Sequence, residues 1–248
     1  MSTIKTCRIL GVNIAVTNMA QTVQYIENNL EELRGKYICV SNVHTTIMAH
    51  DNPAYRNVQN SAAIALPDGK PLSVVSRKRG YTEAERVTGP DLMGELFARK
   101  NGLKHFFYGD KEETLQILQQ KLKEKYPDIQ IAGMISPPFR SLSQEEEKAY
   151  IQQINDSGAD IVWIGLGAPK QENWMYEHQG MLHGVMIGVG AGFSYHAGLI
   201  KRAPKWMQKM SLEWFYRLMQ DPVRLFKRYF TTNLKFMLLE AKDKGEVL

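Results

Sequence analysis

Short apolar runs, most of them continuous and rich in β-branched residues, alternate along the chain with segments whose apolar residues recur every three or four positions. The runs are Arg8–Ile14, Tyr37–Ser41, Ala63–Leu66, His105–Tyr108, Ile129–Ile135, Ile161–Leu166 and Val185–Val189. Unbroken apolar strands suit burial on both faces, which is the situation of parallel strands covered by helices. The intervening helices carry their own marks. Met19, Val23, Ile26 and Leu30 share one face, as do Leu115, Leu118, Leu122 and Tyr126, with Asp110 placed to cap the second helix. Ser143-Gln-Glu-Glu reads as a capping box for a third, running to about Asn155. Repeated β–α–β order with right-handed crossovers predicts an α/β, Rossmann-like, mostly parallel sheet with helices on both faces.

After Gly192 the alternation stops. No strand is expected beyond Val189, and from Ala203 onward the pattern is helical only. Pro222 ends one helix near Gln220 and opens the next behind Asp221. The predicted division is a Rossmann-like domain over residues 1–198 and an all-helical basic appendage over 199–248. Charge follows the same division. The chain's net charge is +5, yet residues 201–235 alone carry nine basic side chains against Glu213 and Asp221, so the remainder is slightly acidic. Seven aromatics lie among those bases, including Trp206, Trp214 and Phe230. Basic heads interleaved with large apolar groups suit an anionic, partly apolar surface such as a lipid headgroup layer. No nucleic-acid motif accompanies them, so no nucleic-acid partner is expected. The alternative is a helix that packs its aromatics on the core and leaves its lysines solvated.

Two cysteines, Cys7 and Cys39, sit in apolar strand-like settings and read as buried thiols in a reducing compartment. No signal segment and no run long enough to span a bilayer is apparent, so a soluble or peripheral protein is expected.

In open parallel sheets, ligands bind beyond the carboxyl ends of the strands, and the polar residues there are the candidates. Four groups qualify: Ser41-Asn42-Val43-His44-Thr45, Pro67-Asp68-Gly69-Lys70, Gly165 through Glu172, and Gly190-Ala191-Gly192-Phe193. Asp68 is the first choice for a general base, since Pro67 and Gly69 hold it in a tight turn directly behind a buried strand. It could equally cap the helix from Lys70 or serve as a turn aspartate. In the third group, Gly165 and Gly167 permit close backbone approach, and Pro169 suits the start of a helix whose N-terminus favours phosphate. Lys170 stands where a dinucleotide fingerprint needs its third glycine, and the spacing of Gly188, Gly190 and Gly192 does not match that fingerprint either. Gln171 can hydrogen-bond a uracil or a sugar, or brace the loop from behind.

The chain has no Walker A motif, no Gly-x-Ser-x-Gly elbow, no His-Glu-x-x-His, no Cys-x-x-Cys and no Asp-x-Asp pair. Neither a metal site nor a cofactor is expected. A diphosphate leaving group would have to be neutralised by arginine and lysine.

Asn42, Ala54-Tyr-Arg-Asn-Val-Gln-Asn-Ser, Pro67-Asp-Gly, Arg86-Val-Thr-Gly-Pro-Asp, Gly165-Leu-Gly-Ala-Pro-Lys-Gln-Glu, Gly188-Val-Gly-Ala-Gly-Phe, Lys201-Arg-Ala-Pro-Lys-Trp-Met and Leu212-Glu-Trp-Phe-Tyr-Arg-Leu occur in this order. Together they make the chain resemble, over nearly its whole length, the WecG/TagA/CpsF glycosyltransferases of bacterial cell-envelope synthesis. The resemblance implies an inverting, metal-independent enzyme at the cytoplasmic membrane face. It would move a sugar, most often N-acetylmannosamine, from UDP to a polyprenyl-diphosphate-linked sugar, with teichoic acid or another exopolysaccharide as the product. It puts the base on Asp68 and donor contacts on Asn42, Arg86 and Gln171. Diphosphate contacts fall on Arg217 and Arg224, with Lys227 or Arg228 as a third. Gly165, Gly167 and Gly190 belong to the donor loops, and Lys170 and Arg202 are further candidate cations. Some relatives carry threonine two residues before Asn42, where this chain has Val40 with Ser41 and Thr45 nearby to substitute. Many carry aspartate after Phe193, where this chain has Ser194. Both differences bear on the donor, and UDP-glucose is one alternative. Beyond the family stand a nucleotide-dependent oxidoreductase and a non-catalytic sugar-nucleotide binder, and a homo-oligomer is left open.

Overall fold

The computed structural model describes residues 4–243 apart from 205, 208, 209 and 211, with backbone alone over 224–229. Its strands are β1 (Thr6–Ile9), β2 (Val12–Ala15), β3 (Tyr37–Ser41), β4 (Ile64–Pro67), β5 (Lys104–Gly109), β6 (Gln130–Ile135), β7 (Ile161–Gly165) and β8 (Val185–Gly188). They form one sheet in the order β1-β2-β4-β3-β8-β7-β5-β6, antiparallel at the β1–β2 edge and parallel elsewhere. The expected strand Arg8–Ile14 is in fact two. Leu10 and Gly11 both take positive φ, 47° and 88°, and turn the chain back on itself as a tight hairpin. A single glycine inside an apolar run was the signal.

Side chains leave a strand to alternate faces, so Tyr37 and Cys39 of β3 enter one core while Ile38 and Val40 enter the other. The first core is roofed by α3 (Val43–Asp51), α4 (Pro53–Asn60), α5 (Lys70–Lys78), α8 (Gln144–Asp156) and α9 (Lys170–Glu177). The second lies under α1 (Met19–Asn28), α2 (Leu30–Leu33), α6 (Gly89–Phe97), α7 (Glu112–Lys125) and α10 (Gly192–His196). Helix starts follow local chemistry. Asn42, Asn52, Thr88 and Ser143 accept backbone N–H bonds at the starts of α3, α4, α6 and α8, and Ser143 forms the expected capping box with Glu146. Asp110 is not the cap of α7. It takes φ 60°, and its carboxylate accepts from the Lys111 amide at 2.8 Å and the Ser194 hydroxyl at 3.1 Å. Both cysteines are buried and free, as expected.

The chain leaving β3, β4 and β7 turns onto the first face, whereas the chain leaving β8 enters α10 on the second. The loops therefore part at this end of the sheet, where an open α/β fold holds its ligand.

Among the described residues no strand follows β8. α11 (Glu213–Gln220) has no buried residue, and its Trp214 and Phe215 are exposed. α12 (Pro222–Glu240) runs back to the core and packs on α3. Phe236 is buried in the first core, and truncating such a ring costs about 3 kcal/mol. Lys235 pairs with Asp51 at 2.7 Å, and Arg79 of the α5 end pairs with Glu240 at 2.6 Å and Asp243 at 3.2 Å. No helix among the described residues is long and apolar enough to cross a membrane.

Candidate active site at the strand ends

Asp68 follows β4 directly. Its backbone amide donates to the Ser41 carbonyl at 2.7 Å, which extends the β3–β4 pairing by one residue and fixes the turn. Gly69, at φ 99°, occupies the cap position of α5, and no side chain caps that helix. Asp68 is therefore not the capping residue, and among the described residues its carboxylate accepts no hydrogen bond. Burial pushes its pKa from 3.8 up to about 6; Arg86 and Arg217 pull it down, while Glu213 and Asp91 push it up. A carboxyl group of this kind is ionised at neutral pH and still basic enough to take a proton.

The charged groups around it form one network. Arg86 pairs with Glu213 at 2.8 Å, and Arg202 reaches both Glu213, at 3.4 Å, and Asp91, at 3.1 Å for its second nitrogen. Thr88 donates to Asp91 at 2.6 Å. Burial works against the Asp91 carboxylate, but the bonds from Arg202 and Thr88 outweigh it and hold its pKa below the ordinary range. The guanidinium groups of Arg202 and Arg217 lie 6.0 and 5.4 Å from the centre of the Tyr195 ring, within range of its electron-rich face. These contacts tie α11 and the segment before it to the start of α6, and they bring Arg217 of the basic tail within electrostatic reach of Asp68. Beside the network lies a cavity of about 630 Å³ lined by Arg86, Asp91, Arg202, Tyr195, Tyr126 and Lys125 among others. Asp68 does not line it.

The other candidates are placed less openly. Asn42 caps α3: its side-chain oxygen accepts from the His44 and Thr45 amides at 3.0 and 3.2 Å, and its own amide donates to the Thr45 hydroxyl at 2.9 Å. Ser41 is buried and donates to Gln59 at 2.6 Å. Ser41 and Thr45, each 1% exposed, are thus occupied by the fold and do not present a hydroxyl to the crevice. Gly165 serves packing, since a Cβ there would meet the Phe193 ring at 2.7 Å. Gly167 and Gly190 take positive φ, 76° and 53°, and both turn their N–H groups inward to the Gln171 side-chain oxygen, at 3.2 and 3.0 Å. Gln171, 4% exposed, thus braces the two loops from behind. Lys170 is exposed at the first residue of α9. The Arg224, Lys227 and Arg228 side chains lie outside the described residues.

Sequence reasoning passed over Glu213, Asp91 and Tyr195. Glu213 carried a signal, as one of two acids in the most basic stretch of the chain. Asp91 was visible inside the Arg86 motif, but nothing local tied it to a guanidinium 111 residues away. Among the described residues, no three His, Cys, Asp or Glu side chains gather as a metal site.

The profile described as "Glycosyl transferase WecG/TagA/CpsF family" matches residues 7–246. Three curated relatives carry the name N-acetylglucosaminyldiphosphoundecaprenol N-acetyl-beta-D-mannosaminyltransferase. That of Bacillus subtilis (strain 168) is 30% identical over 232 residues, covering 92% of this chain and 88% of the relative. That of Bacillus spizizenii is 29% identical over 235 residues, 91% and 90% of the two chains. That of Staphylococcus aureus (strain MW2) is 29% identical over 241 residues, 95% and 93%. With a mostly parallel α/β sheet and a match running almost end to end, the chain belongs to the WecG/TagA/CpsF family of glycosyltransferases.

Proposed function

We propose that this glycosyltransferase moves N-acetylmannosamine from a UDP-sugar to a polyprenyl-diphosphate-linked N-acetylglucosamine, with inversion and without a metal ion, at the cytoplasmic face of the membrane. The sugars follow the names of its relatives. The observation that carries the chemistry is Asp68, whose carboxylate is bound to no neighbour among the described residues and is raised to about 6 by burial, with Arg86 and Arg217 acting on it. In this reading Asp68 accepts the proton of the acceptor hydroxyl as that oxygen attacks the anomeric carbon. The bond to the nucleotide diphosphate breaks on the opposite face, through an oxocarbenium-like state. Negative charge grows on the departing diphosphate, and Arg217, which acts on Asp68, would meet it; Arg224 with Lys227 or Arg228 would complete that set. The Asn42 side-chain NH₂ and Arg86 are the proposed donor contacts, with the turns at Gly167 and Gly190 as the proposed donor loops.

Residues 199–248 then have two tasks, as lid over residues 1–198 and as membrane patch. Exposed Trp206, Met210, Trp214, Phe215 and Met219 lie among the bases. Each basic group near an anionic bilayer contributes about 1 kcal/mol, so reversible attachment follows.

The test is a panel of UDP-sugars offered with a short-chain polyprenyl-diphosphate N-acetylglucosamine in the presence of EDTA, with products read by mass spectrometry. Transfer from UDP-N-acetylmannosamine alone is expected. Transfer only from UDP-glucose would reassign the donor, a strict Mg²⁺ requirement would end the metal-free mechanism, and no product from any sugar would end the reading. High salt should also release the protein from anionic vesicles.

A further inference from the structure

Behind the strand ends runs a series of buried polar contacts. The Gln171 side-chain oxygen holds the backbone N–H groups of Gly167 and Gly190, in the turns that follow β7 and β8. Its amide nitrogen donates to Oε1 of Glu172 at 2.8 Å. Glu172 is 1% exposed, and its Oε2 is buried with no hydrogen-bond partner. Tyr55 faces the same carboxyl group. The Tyr55 hydroxyl accepts from Gln59 at 2.9 Å, Gln59 accepts from Ser41 at 2.6 Å, and the Ser41 carbonyl accepts the Asp68 amide at 2.7 Å. The series thus links the ends of four strands.

A carboxyl group with one oxygen unpartnered is an expensive thing to bury, and at packing alone a leucine would serve better. Its use lies in the amide next to it. A primary amide can turn over, and an overturned Gln171 would aim its NH₂ at two N–H donors. An acceptor on the far side selects the orientation with the carbonyl toward the glycines. Burial holds Glu172 above the ordinary carboxylate range, against the opposing interactions of Gln171, its own backbone amide and Tyr55.

We propose that Glu172 is a positioning residue of the donor site, which fixes the Gln171 amide and thereby locks the turns at Gly167 and Gly190 together. The inference rests on reading these strand ends as the donor site. It makes Gln171 a brace within the protein, acting on the donor through the two turns.

The test uses the full chain and two readouts: amide hydrogen exchange at Gly167 and Gly190 without substrate, and steady-state kinetics with UDP-N-acetylmannosamine. Glu172→Leu should raise exchange at both glycines and raise the donor KM by about tenfold, with a smaller loss in kcat. Glu172→Gln offers one acceptor toward Gln171 and one donor toward Tyr55, and should restore both readouts to within about threefold of wild type. Gln171→Met should reproduce the Leu phenotype, and the double variant should be no worse than Gln171→Met alone, because Glu172 acts through Gln171. Unchanged exchange in Glu172→Leu, failure of Gln to rescue, or additive losses in the double variant would each overturn the proposal. If Glu172→Leu does not fold, the contrast between Gln171→Met and Glu172→Gln decides alone: loosened glycines in the first and protected ones in the second uphold the lock, and any other pattern ends it. A lock that holds in a chain that turns over no sugar would sink the donor-site reading and not the lock.

Discussion

β3 and β4 are neighbours in register, with Ser41 opposite Pro67, yet their ends are put to opposite uses. At the end of β3, Ser41, the Asn42 side-chain oxygen and Thr45 are occupied in fixing the start of α3 and the packing against Gln59. Beyond β4, the turn is held by the backbone alone, through the Asp68 amide on Ser41 and the Val87 amide on Pro67. The Asp68 side chain is left over. Two loops of similar polarity thus differ in whether the fold consumes their side chains. A polar group that burial penalises and that accepts no hydrogen bond among the described residues is the one available for chemistry.

The hardest test of this contrast is Asp68→Asn. The rate should fall about a thousandfold, the range for losing a general base, while donor binding remains measurable. Stability should move the other way. Raising the folded pKa from 3.8 to about 6 means the folded protein holds this proton more tightly than the unfolded chain. The penalty is absent below about pH 4, grows as pH rises through that window, and above about pH 6 amounts to about 3 kcal/mol at most. Asn should therefore raise the urea midpoint at neutral pH; a slower and less stable variant would mean that Asp68 is structural.

Next in size are the charges around it. The acidic limb of the pH–rate profile should sit near pH 6. Arg86→Gln should move it up and Glu213→Gln should move it down, each by about half a pH unit, because the two side chains act on Asp68 with opposite sign. Shifts of the same sign would show that the tail acts through shape and not through charge.

The smallest effect belongs to the other side of the comparison. Thr45→Ala removes the acceptor for the Asn42 amide and should cost about 1 kcal/mol in stability, with kcat/KM within about threefold of wild type. A large rate loss without loss of stability would return Thr45 to the site and erase the distinction between the two loops.

Much of this was legible beforehand because its causes are local. The hydrophobic period told buried strands from amphipathic helices, Ser143 and Pro222 marked helix starts, and Asp68 stood out by its place between Pro67 and Gly69. The β1–β2 hairpin was misread because apolar residues on both sides of Gly11 hid the turn. Asp110 was misread as a cap because its partner, Ser194, is 84 residues away.

The sequence by itself settled the strand–helix alternation beyond the first hairpin, the fold class, the family and the short list of polar residues at the strand ends, since period, capping and motif spacing are written within a few residues of one another. Tertiary structure alone decided which of those residues remain available. Ser41 meets Gln59, Gln171 meets Gly190, and Arg86 meets Glu213 only after crossovers bring distant segments together. Hydrogen-bond demand inside a packed protein is satisfied in space, by whichever donor or acceptor arrives, and chain position does not announce the partner.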